Sequence, residues 1–264
     1  MFTAAQRLVA AAAPLGAQQR VLVRSRQAAQ ALVPTLLLRA HSSRNSSSAA
    51  GTPAGPAQDG GASQRLFGDI NKFWFGESDR LHDLGQVSFQ RWWFQPSAEL
   101  DRGLADRFGA VHAEVVATKA HVEAAKETPE GTLALIILLD QMGRNMYRGS
   151  ARAFSGDAIA RSLAMYMVRR KFHEQLRLVK RSFVYMPLMH AEDIEAQDLS
   201  VQLYTELAAE LKAPDEDAKN DDFAAYAEMH RQVIRDFGRF PSRNKALGRE
   251  STPEELEWLK TAPF

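Results

Sequence analysis

Thr128–Gly149 reads TPEGTLALIILLDQMGRNMYRG. Leu133–Leu139 is an unbroken apolar run, which predicts a helix buried on all sides. Thr128 and Pro129 mark its start: threonine is a good N-cap, and proline at the first helical position gives up an N–H that has no partner there anyway. The predicted helix runs to about Arg148, and its last three turns become polar, with Asp140, Gln141, Arg144, Asn145 and Arg148. Asp140 and Arg144 are four apart, as are Gln141 and Asn145, so each pair shares a face. Two readings stand. A buried Asp–Arg pair fixes helix packing while cations near a helix C-terminus suit its dipole. Alternatively, a buried helix delivers a polar cluster to a pocket.

Working outward, the pattern is helical almost throughout. Leu66–Phe75 is short and aromatic. Ala98–Ala125 carries Leu100, Leu104, Phe108, Val111, Val115 and Val122 on one stripe, which predicts one long helix. Ala153–Lys171 follows. Pro187 is read as opening a helix through Leu211. Asp215–Asp222 reads as an acidic loop, and Phe223–Phe237 as a further helix. Thr252-Pro253-Glu254-Glu255 has the form of a capping box with proline at N1. β-type alternation is nowhere convincing. The expected fold is all-α, with stacked helix pairs in a single domain of residues 65–264 and no clean internal repeat.

The chain of 264 residues has 33 Lys and Arg against 32 Asp and Glu, and 45% hydrophobic residues, enough for a sizeable core. Six of the arginines and none of the acids fall in residues 1–58, so residues 59–264 carry 27 cations and 32 acids. That balance argues against nucleic acid as a partner, because general binding to phosphate backbones needs a broad basic surface. No apolar run is long enough to span a membrane. The absence of cysteine excludes disulfides, thiolate metal sites and cysteine nucleophiles. The arginine-, serine- and alanine-rich, acid-free residues 1–42 resemble an organelle transit peptide, with Arg39–Ser42 similar to a mitochondrial processing site. The expected compartment is the mitochondrial matrix, with chloroplast or cytoplasm as alternatives. Residues 43–64 read as a disordered Ser/Ala/Gly/Pro linker, giving the domain a disordered N-terminal extension.

Three more stretches carry chemistry. In YMPLMHAEDIEAQ, Tyr185–Gln197, the residues His190, Glu192 and Asp193 are read as the first turn after Pro187. His190 and Glu192 are two apart, so they point in different directions and make a poor chelate, while His190 and Gln197 share a face. In Phe223–Phe237 the stripe Phe223, Tyr226, His230, Val233, Phe237 turns His230 inward, either as a hydrogen-bonded core residue or as a general base. In FGRFPSRNKALGRESTPEE, Phe237–Glu255, Gly238 stops the helix. Arg239, Arg243, Lys245 and Arg249 follow without regular structure. They either cap helix ends and pair with acids, or converge on an anion. The chain has no Gly-rich phosphate loop, Walker pattern, serine elbow or HExxH helix, so no cofactor is expected and an anion site would be built from side chains. No local spacing announces a metal site, and none is expected.

Together, LLDQMGRNMYRGSARAFSGD, MPLMHAED and HRQVIRDFGRFPSRNKALGRESTPEE resemble the domain of unknown function 924 family, from about Phe73 to Leu259. The resemblance implies a TPR-like fold of stacked antiparallel helix pairs. It implies no activity, since the family has none assigned. The family commonly has proline where Met142-Gly143 stands and histidine where Ser242 stands. Its motifs include Asp140, Arg144, Asn145, Arg148, His190, Glu192, His230, Arg239, Arg243 and Asn244. The functional expectation is binding of a small anionic ligand or acidic peptide end through Asp140, Arg144, Asn145, Arg148, Arg239, Arg243 and Asn244. One alternative is a hydrolase- or lyase-like enzyme using His190 or His230 as general base, with Glu192 or Asp140 as an acid partner. Another is a protein-interaction scaffold, for which the aromatic stretch Phe89–Phe94 is the candidate surface and core packing the competing role.

Overall fold

The computed structural model describes residues 59–76, 93, 97–210 and 223–262. The transit-like residues 1–42, most of residues 43–64 and of the aromatic stretch, and the acidic segment expected at Asp215–Asp222 lie outside these residues. All elements among the described residues are helical, and none is a strand. Helix α1 spans Asp59–Phe75, six residues ahead of the Arg65 start expected from composition. Ser63 is buried, and its hydroxyl meets the His121 ring at 2.8 Å.

The long helix expected over Ala98–Ala125 is broken. Helix α2 spans Ala98–Thr118, capped by Ser97, whose hydroxyl accepts from Leu100 N. Lys119 and His121 then adopt left-handed backbone, and α3 is the single turn Val122–Ala125. Thr118 sits at the break, where its hydroxyl donates to Glu114 O and accepts from Ala120 N. That side chain offers the backbone an alternative to the next helical bond. An apolar stripe continuing to Val122 could not reveal this.

Helix α4, Pro129–Ile136, begins as expected with the Thr128 hydroxyl accepting from Gly131 N. It runs on as a π-helical stretch, Ile137–Met142, and then as α5, Gly143–Met146. Leu133 through Leu139 have no exposed surface. They form the centre of the principal core, whose aromatic end is built from Trp74, Phe75, Trp93 and Phe183. Trp93 donates from its indole to Trp74 O, so this part of the aromatic stretch is core.

The remaining helices are α6 (Asp157–Arg169), α7 (Leu178–Met189), α8 (Ile194–Glu210), α9 (Phe223–Phe237), α10 (Asn244–Leu247) and α11 (Pro253–Leu259). Helix α7 packs on α6 and α8, and α8 packs on α9. The four residues between α7 and α8 turn the chain back antiparallel, so the fold is a stack of helix pairs. Pro187 does not open α8. It lies in the last turn of α7, whose ladder continues past it with His190 N donating to Met186 O at 2.8 Å. Asp193 caps α8 instead, accepting from Ala196 N at 2.9 Å. His190 is therefore the C-cap of α7. After Gly238 the chain is not irregular: a 3-10 turn, Pro241–Arg243, leads into α10. The Thr252 capping box opens α11 as expected. A small second core of Val233, Ile234 and Phe240 lies under this segment.

Gly156 marks the tightest approach onto the buried helix. A Cβ there would lie 2.8 Å from Leu139 O and 3.1 Å from Leu139 Cα, which are backbone atoms unable to yield. Gly156→Ala should destabilise the protein by about 1–3 kcal/mol in urea unfolding. Gly103→Ala, on an open face of α2 with nothing within 4 Å, should stabilise it by about 0.5–1 kcal/mol.

Candidate functional site

Asp140 is fully buried, in the π-helical stretch. One of its oxygens lies 3.1 Å from the Arg144 guanidinium, and Gln141 donates an amide N–H to the other. His190, 50 residues on, donates from Nδ1 to the same carboxylate at 2.8 and 3.0 Å. Burial alone would raise the pKa of Asp140, but Arg144 and His190 outweigh it and hold the carboxyl well below its usual range. The carboxylate is therefore ionised at neutral pH. For His190 burial wins over the pull of Asp140, aided by Arg144 and Arg243, and its pKa is lowered. The imidazole is then neutral, with its proton on Nδ1. Its Nε2 has no partner among the described residues, and the side chain is 16% exposed.

Arg144 also grips Asp157, at the start of α6, through both nitrogens at 2.8 and 3.0 Å. Arg243 reaches the same carboxylate with one nitrogen at 3.3 Å and donates with another to His190 O at 2.8 Å. Its guanidinium lies 4.9 Å from the ring centre of Phe154 and 4.5 Å from that of Phe240. Burial and the nearby Arg144 push the Arg243 pKa down to about 10, against the opposing pull of Asp157.

The other candidates divide between two further clusters. Arg148 pairs with Asp101 at an exposed position and donates to Asn145, so neither residue joins Asp140. Glu192 lies in the turn between α7 and α8, not on a helix with His190, and joins a different cluster. It accepts from Phe240 N at 2.8 Å and from Arg249 at 2.6 and 2.9 Å. Burial would raise its pKa, but these donors lower it. Arg249 passes on to the Asn244 side-chain oxygen, while the Asn244 amide donates to the buried Glu255, which Arg239 holds with two nitrogens at 2.6 and 2.9 Å. Arg239 and Asn244 thus anchor the capping box of α11. His230 lies beside His190, with ring centres 6.1 Å apart, and donates from Nδ1 to Tyr226 O at 2.8 Å.

Asp157, Arg249, Glu255 and Gln197 complete these networks without having been singled out as site residues. The capping box signalled Glu255, and loop position signalled Arg249. Asp157 gave no signal, because its two arginines are 13 and 86 residues away.

His230 and His112 are core histidines held neutral. Burial pushes His230 down to about 3, helped by His190, and His112 down to about 4, helped by Arg152. As pH falls below about 6.5 the unfolded chain takes up these protons first, so stability is lost from there down to about pH 4 for His112 and about pH 3 for His230. His230→Gln should reduce the loss between pH 6.5 and 5 by about 2 kcal/mol in urea titrations, with the wild type as reference.

No curated protein matches the chain. A solved structure of a protein of unknown function from Agrobacterium tumefaciens is similar, with 34% identity and a TM-score of 0.61, over 76% of this chain and 99% of that one. The family described as "Bacterial protein of unknown function (DUF924)" matches residues 70–262, which hold all three clusters. The chain belongs to the DUF924 family.

Proposed function

We propose that the domain binds a small anion, a carboxylate or phosphate group, at Arg243 beside the His190 imidazole. The observation that carries this reading is the unequal pairing of the arginines. Arg144, Arg148, Arg239 and Arg249 each hold a carboxylate through two nitrogens. Arg243 has a single 3.3 Å contact with a carboxylate that Arg144 already grips. It is 13% exposed and its positive charge is disfavoured where it lies. An incoming anion relieves that imbalance and meets a planar, hydrogen-bonding cation. An acidic peptide end is one form of such a ligand.

A second reading rests on the Asp140–His190 pair. A neutral imidazole whose Nδ1–H is held by a buried carboxylate presents Nε2 as a proton acceptor, the arrangement of a general base. On this reading the chain is a hydrolase- or lyase-like enzyme whose anionic substrate is oriented by Arg243. In both readings the compartment follows the transit-like residues 1–42 to the mitochondrial matrix. Import into isolated mitochondria should therefore shorten the chain near Arg39–Ser42, and a full-length imported product counts against it.

The anion reading is tested by thermal shift of the full chain with phosphate, acetate and an acidic peptide. A ligand at a hundred times its Kd adds about 2.7 kcal/mol. Arg243→Gln should remain folded and lose the shift. Arg239→Gln should lower the melting temperature but keep the ligand-induced shift. A shift that survives Arg243→Gln, or no shift with any of the three, overturns the assignment.

A further inference from the structure

We infer that Gln197 is a positioning residue for His190, an inference that rests on the reading of His190 as part of the functional site. The last carbonyls of a helix have no donor within it. At the end of α7 that of Met189, the last helical residue, and that of Ala191, in the turn just past the His190 cap, are both taken by the side-chain amide of Gln197, at 2.6 and 2.7 Å. The carbonyl between them, of His190 itself, is taken by Arg243. The His190 ring is held by Asp140. Backbone and ring are thus fixed by three separate elements, and Nε2 is left for a ligand.

Gln197 is fully buried on α8. Its orientation is unambiguous, because only the amide nitrogen can donate to two carbonyls. The consequence is that Oε1 has no hydrogen-bond partner among the described residues. A buried acceptor without a donor is unfavourable, and an apolar residue of the same shape avoids it. Packing alone therefore gives no reason for glutamine here. Its two donors do, because they hold the turn that carries His190.

The two clamps differ in kind. Arg243 is the residue that meets the anion, so its grip on His190 O is exposed to ligand binding. Gln197 lies wholly in the core. It keeps the His190 turn in place when Arg243 engages a ligand.

The test is 15N-histidine NMR of the full chain with inorganic phosphate as the probe. In the wild type, His190 should show Nδ1 protonated and Nε2 bare, from the separation of its two 15N shifts, and Nε2 should respond to phosphate. In Gln197→Met, which keeps the shape and loses both donors, that separation should shrink and the phosphate Kd should rise at least threefold. Ser200→Ala is the control. Its hydroxyl is also buried without a partner among the described residues, one turn along α8, and holds neither carbonyl. It should leave His190 as in the wild type. If Gln197→Met does not fold, Gln197→Asn, whose shorter amide cannot reach both carbonyls, is read the same way. Wild-type shifts and affinity in a folded Gln197 variant overturn the inference, as does an equal change in Ser200→Ala. If wild-type Nε2 ignores phosphate, the anion reading fails, while the tautomer separation still judges Gln197.

Discussion

The carboxylate of Asp140 is a full negative charge with no exposed surface, and the rest of the site follows from the need to compensate it. An unpaired buried charge is untenable, and removing one partner of a buried pair costs about 3–5 kcal/mol. Arg144 supplies the counter-charge from the next turn of its own helix, but it is itself mostly enclosed and takes Asp157 as a second partner. Asp157 sits at the start of α6, where a carboxylate also suits the helix dipole. Arg243 closes the sequence on Asp157 from the far end of the chain. The four charges sum to zero. One buried acid thus ties the central helix to α6, to the end of α7 and to the C-terminal segment.

The concentration of cations after Gly238 has the same explanation. Arg239 and Arg249 are matched by Glu255 and Glu192, and Asn244 bridges the two pairs. This second network also sums to zero. It pins the Phe240 backbone to Glu192, two residues past His190, and so holds Phe240 against His230 and Arg243. The segment is built as a strap that carries Arg243 to the end of α7. Most of its arginines hold it there, and Arg243 is the one that it delivers.

What could be read in the sequence follows the range of the interactions involved. The all-helical fold, the caps at Thr128 and Thr252, the inward turn of His230 and the Asp140–Arg144 pair are settled within about one or two helical turns, and the residues announce them. The break after Thr118 and the passage of α7 through Pro187 depend on single hydrogen bonds that override an otherwise continuous pattern. The meeting of Asp140 with His190, of Arg243 with Asp157, and of Arg249 with Glu192 spans 50, 86 and 57 residues. Side-chain type marks such residues as polar and notable, but only tertiary packing selects their partners. Arg148 and Asn145 carried the same chemical signal as Arg144 and ended in a separate pair with Asp101.

Neutral totals do not make the two networks equivalent. In the C-terminal network each guanidinium has a carboxylate to itself, and the donors match the acceptors. In the Asp140 network two guanidiniums share Asp157, and the charge of Asp140 is divided between Arg144 and the dipole of an uncharged imidazole. The sum is zero, but its distribution leaves positive charge on Arg243 and an acceptor lone pair on His190 Nε2. A network whose only task was to lock helices would place each cation on its own acid, as the C-terminal one does. The uneven network puts its unevenly matched cation and its bare nitrogen together at the end of α7.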